Sequence, residues 1–362
     1  MTSIAEVLRE LPEGYEAACY SENAMRRARG ITNPHDLMLL SLMHLLNGCS
    51  LMEVSVIARL TKLGNLSNVA FMKRFANCNG WFKWNITRLV SEGMVSYSKP
   101  DWLEQYNVKA VDATDVVEKG RSKRVYRLHY ALDLFSLHSA TYRITDQKTG
   151  ESLLNYDLHS GDLVVGDRIY STFKGIGYCQ ANDAQFILRL RKTSFITYDE
   201  HGQRIELLDH LRDLKEGEEI EIPVFAKVDG ETMTPLRVCA RMKDADSMKE
   251  TSKRLARKKS KKQEDISHDT LEFNNYIVLV TSLPASITCS QVLQVYRWRW
   301  QVEMYFKRLK SIIGIGELPK KKLESVFAWL NGKLMIALLI EKAIGSRSFS
   351  PQGMVSSSQC LA

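Results

Sequence analysis

Residues 296–311 read YRWRWQVEMYFKRLKS, where one carboxylate, Glu303, sits among Arg297, Arg299, Lys307, Arg308 and Lys310. Two roles compete for such an acid. It is an ion-pair partner on a solvated helix, or a metal ligand in a site built to hold phosphates. At about 100° per residue, Tyr296, Arg299, Glu303 and Lys310 fall within about 60° of one another, with Lys307 at the edge of that stripe. The apolar set Val295, Trp298, Val302, Tyr305, Leu309 and Ile312 covers an adjoining arc about 100° wide, so the polar stripe borders the core-facing side. Arg299–Glu303 and Glu303–Lys307 are both four apart, and each pair would be worth roughly a few tenths of a kcal/mol. The helix alone leaves both roles open.

Two more carboxylates upstream bear on the choice. Asp112 lies inside VKAVDATDVV, a strand-like run starting at Val108, and Asp167 ends the buried run LVVGD before the chain turns toward a helix. Ligands of open α/β sheets bind at the carboxyl ends of strands, so an acid there is a functional hint. Three carboxylates brought together from two strands and a helix make a hard, oxygen-rich site suited to Mg²⁺ or Mn²⁺. Two such ions, about 4 Å apart, clamp the attacking and leaving oxygens of a phosphodiester displacement. Asp115 is three residues from Asp112 and faces the other side of a regular strand. Asp162 is read as a turn residue before the buried strand, Asp133 as paired or edge-exposed, and His129 and His138 as structural.

The spacing Tyr296-x-x-Arg299-x-x-x-Glu303-x-x-x-x-x-x-Lys310 resembles the Y-R-E-K signature of the bacterial insertion-sequence-four family of DDE transposases. VDATD is similar to that family's first Asp motif and GDRIY to its second, in the same order, with a long β-rich segment before the Glu. The resemblance covers roughly residues 109–340. It implies an α/β fold with a ribonuclease-H-like mixed-sheet catalytic core, a β-rich insertion and an N-terminal helical domain. It also implies that Asp112, Asp167 and Glu303 are the catalytic metal-binding triad. The ions would be Mg²⁺, as a two-ion site, with Mn²⁺ able to substitute. Tyr296, Arg299 and Lys310 would contact DNA phosphates, joined by Lys307. Trp300, beside the polar stripe, is the better placed of Trp298 and Trp300 to hold an unstacked base. Arg168 steadies a phosphate or pairs with a carboxylate. The implied activity is metal-dependent cleavage and strand transfer at the ends of an insertion sequence, by cut-and-paste DNA transposition. The implied partners are transposon-end and target DNA and a second copy of the chain in a synaptic homodimer.

The remaining chain fits this organisation. Residues 1–100 read as helical and DNA-binding, 101–192 as the first part of the catalytic core, and 193–272 as the β-rich insertion. Residues 273–345 complete the core and 346–362 form a Ser-rich disordered tail. Within the first segment, HDLMLLSLMHLLNGC ends at the C-cap signal Asn47-Gly48. Two short helices follow around Leu63-Gly64-Asn65, the second capped by Ser67 and carrying Lys73 and Arg74, which is the outline of a helix-turn-helix. Direct DNA contact and plain helical packing both remain open for it. The insertion has hairpin signals at His201-Gly202 and Asp229-Gly230. The run KRLARKKSKKQED from Lys253 reads as a solvated linker, with phosphate contact as the alternative.

The formal net charge of +8 favours a polyanionic partner. Seven cysteines, none in a C-x-x-C pair, argue against a zinc module or a disulfide framework. With no export signal, the expected location is the cytoplasm, in association with the nucleoid. FAWLNGKLMIALLIEKAI, interrupted by Lys333 and Lys342, reads as a buried helix and not a membrane span. The competing function is a truncated, non-catalytic DNA-binding copy or a regulator of transposition.

Overall fold

The computed structural model describes residues 4–91, 99–118, 125–135, 139–193, 195–262, 267–300, 303–304, 307, 314, 317–318 and 323–345. Lys310, His138 and the tail from 346 onward lie outside them. The first part is helical: α1 (Ile4–Arg9), α2 (Tyr15–Ser21), α3 (Pro34–Leu46), α4 (Leu51–Leu60), α5 (Asn68–Asn77) and α6 (Asn79–Ser91). Local chemistry sets their ends. Asn33 caps α3 by accepting from the His35 N–H, and Pro34 fits the first turn, where no N–H partner is needed. Ser50 and Glu53 form a reciprocal capping box on α4, and Ser67 accepts from the Ala70 N–H to start α5. Between α4 and α5 the chain passes the Gly30 carbonyl so closely that a Cβ on Gly64 would lie 2.5 Å from it. Only glycine fits there. Arg74 donates to the Arg29 carbonyl at 2.9 Å, which binds this same turn, while Lys73 is exposed.

The sheet follows: β1 (Asn107–Glu118), β2 (Val125–Asp133), β3 (Ser139–Asp146), β4 (Asp162–Gly166), α7 (Phe173–Ala181), β5 (Gln185–Arg189), β6 (Thr197–Tyr198), β7 (Arg204–Ile205), α8 (Leu207–Leu211), β8 (Glu219–Lys227), β9 (Met233–Met242), α9 (Ala245–Lys262), α10 (His268–Phe273), β10 (Tyr276–Thr281), α11 (Cys289–Trp298), β11 (Glu317–Leu318) and α12 (Leu323–Gly345). Strand order is β3-β2-β1-β4-β5-β10-β9-β8-β6-β7, with β11 on β1. β1, β2 and β3 are antiparallel neighbours, and β4 and β5 run parallel to β1. That is the mixed α/β, ribonuclease-H-like core expected. The β-rich strands continue the same sheet, because β10 bonds to β5 on one side and β9 on the other.

Alternation along the strands separates two cores. Val108, Ala110, Leu163 and Val165 pack with the N-terminal helices, α11 and α12, while Val111, Val164, Phe186 and Leu188 pack with α7 and α8 on the other face. Helix α12 is buried along most of its length against this first layer. Among the described residues no helix is long and apolar enough to cross a membrane. At Gly332 an added Cβ would lie 2.6 Å from Leu45 Cδ1 and 3.2 Å from Phe82 Cε2. Gly332→Val should therefore overpack this junction and cost about 1–3 kcal/mol, read as a lower urea midpoint with an unchanged slope.

Three expectations are corrected. Asp162 is no exposed turn residue: it opens β4, is 1% exposed, and accepts from Lys109 Nζ at 2.6 Å. A lysine on the neighbouring strand makes burial of that carboxylate tolerable. The basic run from Lys253 is not a linker over its first part, since α9 is helical through Lys262. Its mutually repelling charges are spread around a helix anchored by Ser247 and Thr251, both buried. Finally, the signature helix is not regular throughout. Helix α11 closes at Trp298, with Arg299 as its C-cap, before Trp300, Glu303, Met304 and Lys307 are again helical.

Candidate catalytic site

Strand register brings the two aspartates to one place. β1 and β4 pair in parallel from Asn107 with Asp162 to Ala110 with Val165. Two residues further along come Asp112, in the middle of β1, and Asp167, just past the carboxyl end of β4, side by side on the face that carries Ala110 and Val165. That face is the one covered by α11. The GDRIY segment is shaped to present its acid. A Cβ on Gly166 would meet Leu188 Cδ2 at 2.8 Å and Tyr170 Cβ at 3.1 Å, so the chain needs glycine immediately before Asp167. The Asp167 side chain accepts from the Ile169 N–H at 2.8 Å. Asp112 accepts from the Ala113 N–H at 2.8 Å, and its backbone carbonyl accepts from the Tyr156 hydroxyl at 2.7 Å. Tyr156 and Tyr170 hydroxyls are 3.0 Å apart in the opposite core, which braces both carboxylate segments from behind.

The electrostatics join the third acid to this pair. Burial pushes the Asp112 carboxyl up to about 6; the Ala113 N–H and Arg299 oppose that, while the charges of Asp167 and Glu303 add to it. Arg299 Nη2 donates to Glu303 Oε1 at 2.7 Å, and the guanidinium lies over the Tyr296 ring, 5.6 Å from its centroid. Burial works to lower the Arg299 pKa, but Tyr296, Glu303 and Asp112 outweigh it and hold the cation charged. In this arrangement Glu303 is an ion-pair partner of Arg299, and its charge reaches Asp112. Asp112, repelled by both Asp167 and Glu303, fits a site for a divalent cation, which would relieve that repulsion. Among the described residues, a group whose ligand atoms all lie within 4.8 Å of one another is a different one, His268, Asp269 and Glu272. Two of its acids are already engaged, Asp269 by Lys192 and Glu272 by Arg212.

The other expected residues separate by exposure. Trp300 is 37% exposed, whereas Trp298 is packed edge-on against Phe135 at 5.4 Å. Tyr296 is 9% exposed and its buried hydroxyl has no hydrogen-bond partner among the described residues. Lys307 is exposed on a helical residue. Arg168 donates to Asn274 Oδ1 at 2.6 Å and faces other cations. Asp115 pairs with Arg127 at 2.9 Å on the far side of β1. His129 is buried, bonded to Thr145 Oγ1, and pushed down to about 4 by burial and by Arg127 and Arg143. The sequence reading missed Tyr156, Asn274, Arg189 and Lys243 near this edge. Only the strand-end positions of Arg189 and Lys243 signalled them.

A family model described as "Transposase DDE domain" matches residues 104–339, which span Asp112, Asp167 and Glu303. The chain is 27% identical over 348–349 residues to Escherichia coli relatives, among them the transposase for insertion sequence element IS421, covering 94% of this chain and 93% of that protein. It is also 39% identical over 85 residues to the transposase for insertion sequence element IS1151 of Clostridium perfringens, covering 23% of this chain and 18% of that protein. The order and spacing of the acidic motifs, the sheet that carries them and these matches agree, and the chain belongs to the DDE transposase family.

Proposed function

We propose that this chain is the transposase of an insertion sequence, cutting DNA at the ends of its element and joining those ends to target DNA. The observation that carries this reading is the shared electrostatic environment of Asp112 in mid-β1, Asp167 at the carboxyl end of β4, Glu303 and Arg299. Asp112, Asp167 and Glu303 would hold Mg²⁺, as two ions, with Mn²⁺ substituting. When bound, the ions supply Lewis acidity and lower the pKa of water toward neutrality.

The protein's own residues supply positioning. Arg299, fixed over Tyr296, is a preorganised cation beside the three acids and neutralises a phosphate brought there. Lys307 and Lys310 extend the positive stripe along the backbone of the DNA. Trp300 offers an exposed ring on which an unstacked base rests. Residues 1–100 are the proposed DNA-binding helical part, with Lys73 of α5 available at its surface. Two copies synapse the two ends in a homodimer, in the cytoplasm and on the nucleoid.

The test uses DNA carrying the sequences that flank this gene, purified protein, Mg²⁺ or Mn²⁺, and a denaturing gel. The wild type should cut at the flank boundary. Glu303→Gln keeps the shape but loses the charge, and should cut at least about 100-fold more slowly, the scale seen when even an outer-shell partner of a metal ligand is removed. Equal cutting by the variant would overturn the assignment of Glu303, and uncut DNA with the wild type would overturn the proposed activity.

A further inference from the structure

A concentration of positive charge at the same sheet edge is not used by the catalytic reading. β5 and β9 both run antiparallel to β10, so their carboxyl ends share the edge where Asp167 leaves β4. Arg189 ends β5, Lys243 directly follows β9, Arg254 projects from α9, and Arg168 follows Asp167. Lys243 is only 6% exposed, with its ammonium donating to Thr251 Oγ1 at 2.9 Å. Burial and the charges of Arg189, Arg168 and Arg254 push it down to about 7, against Asp244 as the opposing acid. Asp244 is itself engaged by the N–H and hydroxyl of Ser247, at 2.8 and 2.9 Å. The Nε atoms of Arg168 and Arg189 are buried without a hydrogen-bond partner among the described residues. Like charges gathered this way, short of anions and with donors unspent, raise the energy of the empty protein.

We propose that Arg168, Arg189, Lys243 and Arg254 form a second phosphate-binding site, which grips the DNA backbone beside the catalytic carboxylates. The proposal rests on the transposase reading for its ligand, a DNA phosphodiester. It gives the β-rich segment a role that its strands do not explain by themselves. α9 and the end of β9 close the site from one side, and Arg168 links it to Asp167. Tyr296 is close enough to act electrostatically on both Arg168 and Arg299.

The anion site is tested apart from catalysis, with the full chain, no divalent metal and inorganic phosphate as the probe. Phosphate should raise the Tm by about 2 °C above chloride at equal ionic strength. Lys243→Met should remove that phosphate-specific rise, as should Arg254→Gln, which alters an exposed side chain and leaves the buried packing alone. With a duplex oligonucleotide, Arg254→Gln should also reduce the slope of log affinity against log salt by about 1, the loss of one phosphate contact. A phosphate effect no larger than that of chloride, or one retained in both variants, overturns the site. The two readings fail separately: cutting that depends on Glu303 with no phosphate effect removes the second site alone. A phosphate effect lost in both variants, in a protein that never cuts, removes the transposase activity alone.

Discussion

Asp112→Asn is expected to stabilise the metal-free protein at pH 7.5 while lowering DNA cleavage at least about 100-fold. The acid sits where burial, Asp167 and Glu303 all disfavour its charge, which raises its folded pKa to about 6 from the ordinary aspartate value of 3.8. For an acid whose folded pKa is raised, the folded state binds the proton more tightly than the unfolded chain. Its contribution favours folding at low pH and is lost as pH rises from about 4 through about 6. Above that window the ionised carboxylate costs on the order of 2–3 kcal/mol. Asparagine retains the oxygen that accepts from the Ala113 N–H and removes the charge. The variant's Tm should exceed that of the wild type by about 3 °C at pH 7.5 and match it near pH 4. Added Mg²⁺ should raise the Tm of the wild type more than that of the variant. A difference that does not change with pH would show that Asp112 is not under the repulsion described.

Lys109→Met should have the largest effect on stability, about 3–5 kcal/mol, because it strands a buried carboxylate. Asp162 is 1% exposed and takes one bond from Lys109 at 2.6 Å and another from the His159 N–H at 2.9 Å. The ion pair spans β1 and β4 at the start of the pairing that places Asp112 beside Asp167. Loss of stability should therefore be accompanied by loss of cleavage even where the variant remains folded. Chemical denaturation of Lys109→Met, Asp162→Leu and the double variant separates the terms. The double variant should recover most of the loss, since it removes both charges. If the single and double variants are equally unstable, the cost comes from packing and the ion pair does not hold the register.

Much of the fold was legible because its causes are local. The cap at Ser67 acts over three residues, and the alternation in VKAVDATDVV marks a strand without reference to any partner. The Asp-Gly turn behaved as such, with Gly230 at φ 92° between β8 and β9. The site residues were legible for a different reason, a fixed spacing shared with a family, and not because the chain announces which acids meet. The basic run misled because charge density alone does not separate a linker from a helix whose anchoring residues, Ser247 and Thr251, are spaced one turn apart.

By itself the sequence determined the elements, their order and the spacing of Asp112, Asp167 and the Tyr296–Glu303 stripe. The tertiary structure decided what those residues meet. Register between β1 and β4 sets the two aspartates side by side, and docking of α11 on one face of the sheet brings Arg299 and Glu303 to them. Pairing of β10 between β5 and β9 gathers Arg189 and Lys243 at the same edge as Asp167. Each of these depends on hydrogen bonds and burial between segments distant in the chain, whose pairing no local pattern specifies.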